Sequence, residues 1–123
     1  MIPQHSFHWA KNQSEQLLVS RGYEPVAKVT GSELANYLAL HFIGLKGDYE
    51  TLCVKLRIAR QSLSETYVKS LCRYDICQFR SLLLQSPGTV FLRCEVWVVS
   101  PNNAIHCYEV LPTCIREVAA YAK

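Results

Sequence analysis

Residues 41–55 read HFIGLKGDYETLCVK, two apolar runs joined by Lys46-Gly47-Asp48. A short glycine-containing break between two such runs is the pattern of a β-hairpin. The run entering it, residues 37–45 (YLALHFIGL), is apolar on both side-chain phases and interrupted only by His41. Continuous apolarity over that length suits a strand covered on both faces. The run leaving it, residues 49–59, alternates: Leu52, Val54, Leu56 and Ile58 fall on one face, Thr51, Cys53, Lys55 and Arg57 on the other.

The flanking sequence supplies the other elements. Residues 9–21 lack Pro and Gly and predict a helix, with Gly22 as its left-handed stop. Residues 24–29 (EPVAKV) predict a short strand, and residues 30–36 fit either a loop or a helical turn. Ser62-Leu63-Ser64-Glu65 reads as a capping box with Ser62 as N-cap. It opens a helix to Gln85 with Val68, Cys72, Phe79, Leu82 and Leu83 as its buried stripe and Lys69, Arg73 and Arg80 on its wetter side. Ser86-Pro87-Gly88 ends that helix. Residues 89–99 are β-branched and aromatic, hence a strand. Residues 104–111 return as its hairpin partner, and residues 113–123 predict a short helix after Pro112. The expected fold is α/β (α+β), a mixed central sheet flanked by helices in the order α-β-β-β-α-β-β-α.

Bulk properties narrow the class. A chain of 123 residues holds one core. With 50% hydrophobic and 19% charged residues it is not an intrinsically disordered chain. No apolar run nears the ~20 residues of a membrane-spanning helix, and the N-terminal residues lack the charged-then-apolar pattern of a secretory signal. The expectation is a cytoplasmic protein with no membrane partner. The six cysteines form no CxxC pair. Cys53, Cys94 and Cys107 fall in strand-like runs and Cys72 and Cys77 in a helical one, so buried reduced thiols are expected rather than disulfides or a zinc site. The net charge of +3 is compatible with a nucleic-acid partner without requiring one.

The order of elements, with the hairpin of residues 41–55 at its centre, resembles the PD-(D/E)XK nuclease superfamily, nearest in pattern to the archaeal Holliday junction resolvases. The resemblance implies a restriction-endonuclease-like core over about residues 9–111 of a single domain 1–123. In such enzymes an acid on the second strand and Glu-x-Lys on the third hold a divalent metal, the lysine helps activate water, and a further acid comes from the first helix. Here His41 stands where the family aspartate is expected, and Cys53-Val54-Lys55 stands where Glu-x-Lys is expected. Gly22-Tyr23 resembles the family's helix-ending pair, and Glu15 is the candidate helix acid. Magnesium demands hard oxygen ligands, so an imidazole and a thiol in these places describe an altered site with Lys55 as its retained catalytic-type residue. No cofactor is implied, save a divalent metal if the site is active.

Each candidate has a plainer reading. His41 fits a hydrogen-bonded core histidine, and Cys53 a buried thiol with no base beside it in sequence. Arg57, Arg60, Lys69 and Arg73 form a candidate basic strip for a DNA or RNA backbone, or a solvated helix face. The expected function is a nucleic-acid-associated domain without standard magnesium-dependent cleavage. The alternatives are a non-enzymatic interaction or homodimerisation module, and an active nuclease whose acids come from elsewhere, such as Glu15 and Glu95.

Overall fold

A computed structural model describes residues 4–26, 41–85 and 91–122. Helix α1 (Gln4–Ser20) leads into strand β1 (Glu24–Pro25), and the hairpin follows as β2 (Phe42–Lys46) and β3 (Glu50–Ile58). Two helices, α2 (Glu65–Leu71) and α3 (Arg73–Gln85), cross to β4 (Phe91–Val99), β5 (Ala104–Val110) and β6 (Ile115–Ala122). The strands form one six-stranded sheet in the order β1-β2-β3-β4-β5-β6. The β3–β4 pair is parallel and every other pair antiparallel, as a helical crossover between β3 and β4 requires. The chain is therefore α+β, with a mixed sheet between helices.

The alternation in β3 divides the core. Leu52, Val54 and Leu56 pack with Phe42, Trp97 and Ile105 against Ala10, Leu17 and Leu18 of α1. Cys53 packs with Cys94, Val96 and Val98 against Val68, Cys72, Ile76 and Phe79 of α2 and α3. Each face of β3 is thus closed by a helical layer, and the middle of the strand, Leu52 to Leu56, is buried on both faces. Gly22 takes φ 88° where α1 ends, and Gly44 of β2 lies under Tyr23 and Leu18. A Cβ at Gly44 would stand 2.9 Å from the Tyr23 Cβ and 3.0 Å from Leu18 Cδ2, so α1 and the turn after it approach β2 this closely only over a glycine.

Three expectations need correction. The C-terminal segment is strand β6, not a helix: Leu111 N–H bonds the Cys114 carbonyl to close a turn around Pro112, and residues from Ile115 pair with β5. Backbone pairing along β5, with Tyr121 set against Trp9 and hydrogen-bonded to Gln13 of α1, overrides the helix-start signal of Pro-Thr. The helix N-cap is Ser64, whose Oγ accepts the Tyr67 N–H at 3.1 Å. Ser62 lies in the preceding loop, where the Arg60 N–H bonds the Tyr67 hydroxyl and holds the chain out of the helix. The single expected helix is two, meeting at Cys72 (φ −103°). The bonds from Cys72 N to Val68 O and from Ile76 N to Cys72 O run across the junction, so both helices keep one common face. The expected strand segments at residues 27–29 and 37–40, the ambiguous residues 30–36 and the helix stop at residues 86–88 lie outside the described residues.

Gly44→Ala is expected to destabilise the fold by about 1–3 kcal/mol through overpacking at the α1–β2 contact. A lowered urea midpoint with an unchanged slope would register it.

Candidate functional site

The hairpin register sets Ile43 opposite Cys53, and odd-numbered residues of β3 face α2 and α3. Lys55 therefore points into the layer beneath α3. Its side chain is 2% exposed, and its amine meets Asp75 Oδ1 at 3.1 Å and Gln78 Oε1 at 2.6 Å. Arg57, one pleat further on, closes on the same carboxylate with Nε–Oδ2 2.6 Å and Nη2–Oδ1 2.8 Å. The Tyr74 ring lies 5.6 Å from the Lys55 amine, and the Tyr74 hydroxyl accepts from Gln78 Nε2. Two cations thus share one carboxylate, itself 1% exposed. Burial works against ionising Asp75, but the hydrogen bonds from Arg57 and Lys55 outweigh it and hold its carboxyl below the usual carboxylate range.

The other ligand-position residues do not join this cluster. Cys53 shares the face of Lys55 but is wholly buried and in thiol contact with Cys94. The Cys94 thiol is pushed far up by its bond to Cys53 and by burial, and burial also pushes Cys72, beside Asp75, up to about 12. His41 Nδ1 accepts the Leu56 N–H at 2.8 Å, just before β2 begins. The half-buried imidazole thereby satisfies a β3 backbone donor. Glu15 is exposed on α1, across the sheet from Lys55.

Glu95, the other acid considered, is also on the α1 face. Arg21 holds it bidentately at 2.6 and 2.8 Å, and Trp97 Nε1 donates to it at 2.9 Å. Burial opposes the Arg21 charge, but its bonds to Glu95 outweigh that and hold its pKa above the ordinary value. Arg93 and Arg116 clasp Glu109 beside this pair. Tyr23 donates its hydroxyl to Glu50, and burial and that bond push it up to about 12. Lys55 and Glu95 thus occupy opposite faces of the sheet, each with its own partner. Among the described residues no three His, Cys, Asp or Glu side chains gather at a common point.

The proposed basic strip divides. Arg57 is committed to Asp75, and Arg60 stands exposed in the loop after β3. Lys69 and Arg73 come together with Arg80 along a groove between the α2–α3 face and the turn before β6. All six cysteines are free, four buried and Cys77 and Cys114 exposed.

Sequence reading missed Asp75. Its signal was present: it lies three residues after Cys72 and four before Phe79, in the middle of the buried stripe. An acid at such a position requires an internal cation. No family model, no curated protein and no solved structure matches the chain.

Asp75→Ala leaves the Lys55 charge buried against an amide oxygen alone, and is expected to cost about 3–5 kcal/mol. The same pair predicts a pH dependence. Because the folded-state pKa of Asp75 lies below its ordinary 3.8, its contribution is complete above that value and is lost as pH falls through the folded value. Urea titrations from about pH 6 down to about pH 3 should show this loss in the native protein and little of it in Asp75→Ala.

Proposed function

We propose that the chain is a nucleic-acid-associated domain of restriction-endonuclease-like architecture in which the standard metal-dependent cleavage site is not assembled. The α-β-β-β-α-α-β order of the first seven described elements, with β3 and β4 parallel across the two-helix crossover, supports the architectural part of this reading. The observation that carries the rest is the placement of Lys55. A lysine that activates water must present its amine to substrate beside metal-holding acids, whereas this amine is enclosed by Asp75, Gln78 and Tyr74. Glu15 and Glu95 stand on the other side of the sheet, which weighs against a nuclease with relocated acids. Lys55 is then a structural cation occupying a catalytic-type position.

Support for a nucleic-acid partner comes from the exposed cations. Arg60, Lys69 and Arg73 are exposed, and Arg73 has no hydrogen-bond or ion-pair partner among the described residues. Backbone contacts of this kind release counterions and give affinity that falls steeply with salt. A second reading, an interaction or dimerisation module, draws on Tyr49 and Phe91. These residues are 62% and 60% exposed on neighbouring strand ends, joined by the Phe91 N–H to the Tyr49 carbonyl. Aromatic surface of that kind is common where proteins meet.

Fluorescence anisotropy with duplex, single-stranded and branched DNA at low and moderate salt tests the proposal. Binding is expected at low salt; Arg73→Glu should bind more weakly, with a salt slope shallower by roughly one unit. A preference for the branched probe would extend the resolvase resemblance. Absence of binding to all three probes at low salt would overturn the reading in favour of the interaction module.

A further inference from the structure

The groove that collects Lys69 and Arg73 is lined by cations and apolar side chains without an acid. Its lining is Lys69, Arg73, Arg80, Ile76, Cys77, Thr113 and Ile115, around about 350 Å³. Three of these seven side chains are cations and none is an acid. The helices explain how they meet. At about 3.6 residues per turn, residues 73, 76, 77 and 80 share one flank of α3. The backbone bonds that run through Cys72 bring Lys69 of α2 into line with them. Asp75 points the other way, into its bonds with Lys55 and Arg57. The acid nearest in sequence is therefore withdrawn from the groove.

The three cations are not equally engaged. Lys69 touches Glu65, itself 68% exposed, at 2.9 Å, a surface contact of little strength. Arg73 is unpartnered among the described residues. Arg80 donates from Nε to the Leu111 carbonyl at 3.0 Å, across from α3 to the segment bearing Thr113 and Ile115. That bond fixes the plane of its guanidinium and leaves the terminal nitrogens for another acceptor. Lys69 and Arg73 are also like charges four residues apart on one helical face, an arrangement that is mildly unfavourable until an anion enters.

We infer that this groove binds a phosphomonoester dianion, the terminal phosphate of a nucleic-acid strand or the phosphate of a free nucleotide. The inference rests on the nucleic-acid reading above and names the chemical group its cations recognise. A terminal phosphate offers three free oxygens and nearly two charges at neutral pH to two guanidinium groups, one ammonium and the Thr113 hydroxyl. An internal phosphodiester offers two free oxygens and one charge. Its chain must also leave in both directions, whereas the Arg80–Leu111 bond ties the two walls together. Arginine forks suit the planar, bidentate part of such recognition.

The test compares single-stranded oligonucleotides with a fluorophore at the 3′ end and either a 5′-phosphate or a 5′-hydroxyl, by anisotropy at fixed salt. The phosphorylated probe is expected to bind about tenfold tighter, with the advantage removed in Arg73→Gln. That substitution sits at an exposed, unpartnered position, and its fold can be verified by urea unfolding. The advantage should shrink below about pH 6, where the terminal phosphate takes up a proton. Competition by adenosine monophosphate at concentrations similar to the phosphorylated strand would support the site and assign it to free nucleotides. Competition only by the strand would support it as a strand-end site. Equal, salt-sensitive binding of both probes would overturn the inference while leaving the nucleic-acid reading intact. If neither probe binds and adenosine monophosphate raises no thermal midpoint, both fall.

Discussion

A charge buried under a helix must be paired, and in this chain that requirement organises both faces of the sheet. Beneath α3, the Asp75 carboxylate holds Lys55 and Arg57 of β3. Beneath α1, the Glu95 carboxylate of β4 holds Arg21 from the end of that helix. Removing one member of such a pair is far costlier than the pair's net contribution, because its partner is left desolvated and alone. Each pair therefore fixes where a helix sits on the sheet more than it adds to stability. The two carboxylates face away from each other, so they cannot serve one metal without rebuilding a helical layer.

This arrangement separates position from role. Under the endonuclease-like resemblance proposed above, Cys53-Val54-Lys55 takes the place of a Glu-x-Lys on the third strand. The physical setting of the lysine is nevertheless that of a structural residue: enclosed, hydrogen-bonded to an amide oxygen and ion-paired to a carboxylate already shared with Arg57. Fold-level likeness alone does not supply chemistry. Among the described residues, the outer surface of the α2–α3 pair is free to meet a ligand, with Lys69 and Arg73 exposed and no acid lining the groove they share with Arg80.

Much of the fold was legible because its signals are local. Period-two alternation marked β3, the glycine turn marked the hairpin, and Gly22 marked the end of α1, which it closes with φ 88°. Five cysteines read as buried thiols: Cys53, Cys72, Cys94 and Cys107 are buried, whereas Cys77 lies on the exposed flank of α3 and corrects the fifth. Strand β6 was not legible, since only pairing with β5 and the fit of Tyr121 against α1 decide between helix and strand for a segment rich in alanine. The site was less legible than the fold. Lys55 and Asp75 are twenty residues apart, and nothing local announces that a helix will fold one onto the other. The cue lay in Asp75 itself, an acid within an apolar stripe. Glu95, between Cys94 and Val96 in an apolar strand, carries the same cue and finds the same answer in Arg21.

The central claim is that Lys55 is an enclosed structural cation, and its amine can be interrogated directly. Competitive labelling of native protein with an amine-acylating reagent, read by peptide mass spectrometry, compares Lys55 with Lys69, whose side chain is 52% exposed. The account predicts that Lys55, 2% exposed, reacts at least about tenfold more slowly than Lys69 in the folded protein, and at a similar rate once urea unfolds it. Equal labelling of the two lysines in the native state would place the Lys55 amine in solvent and contradict the account.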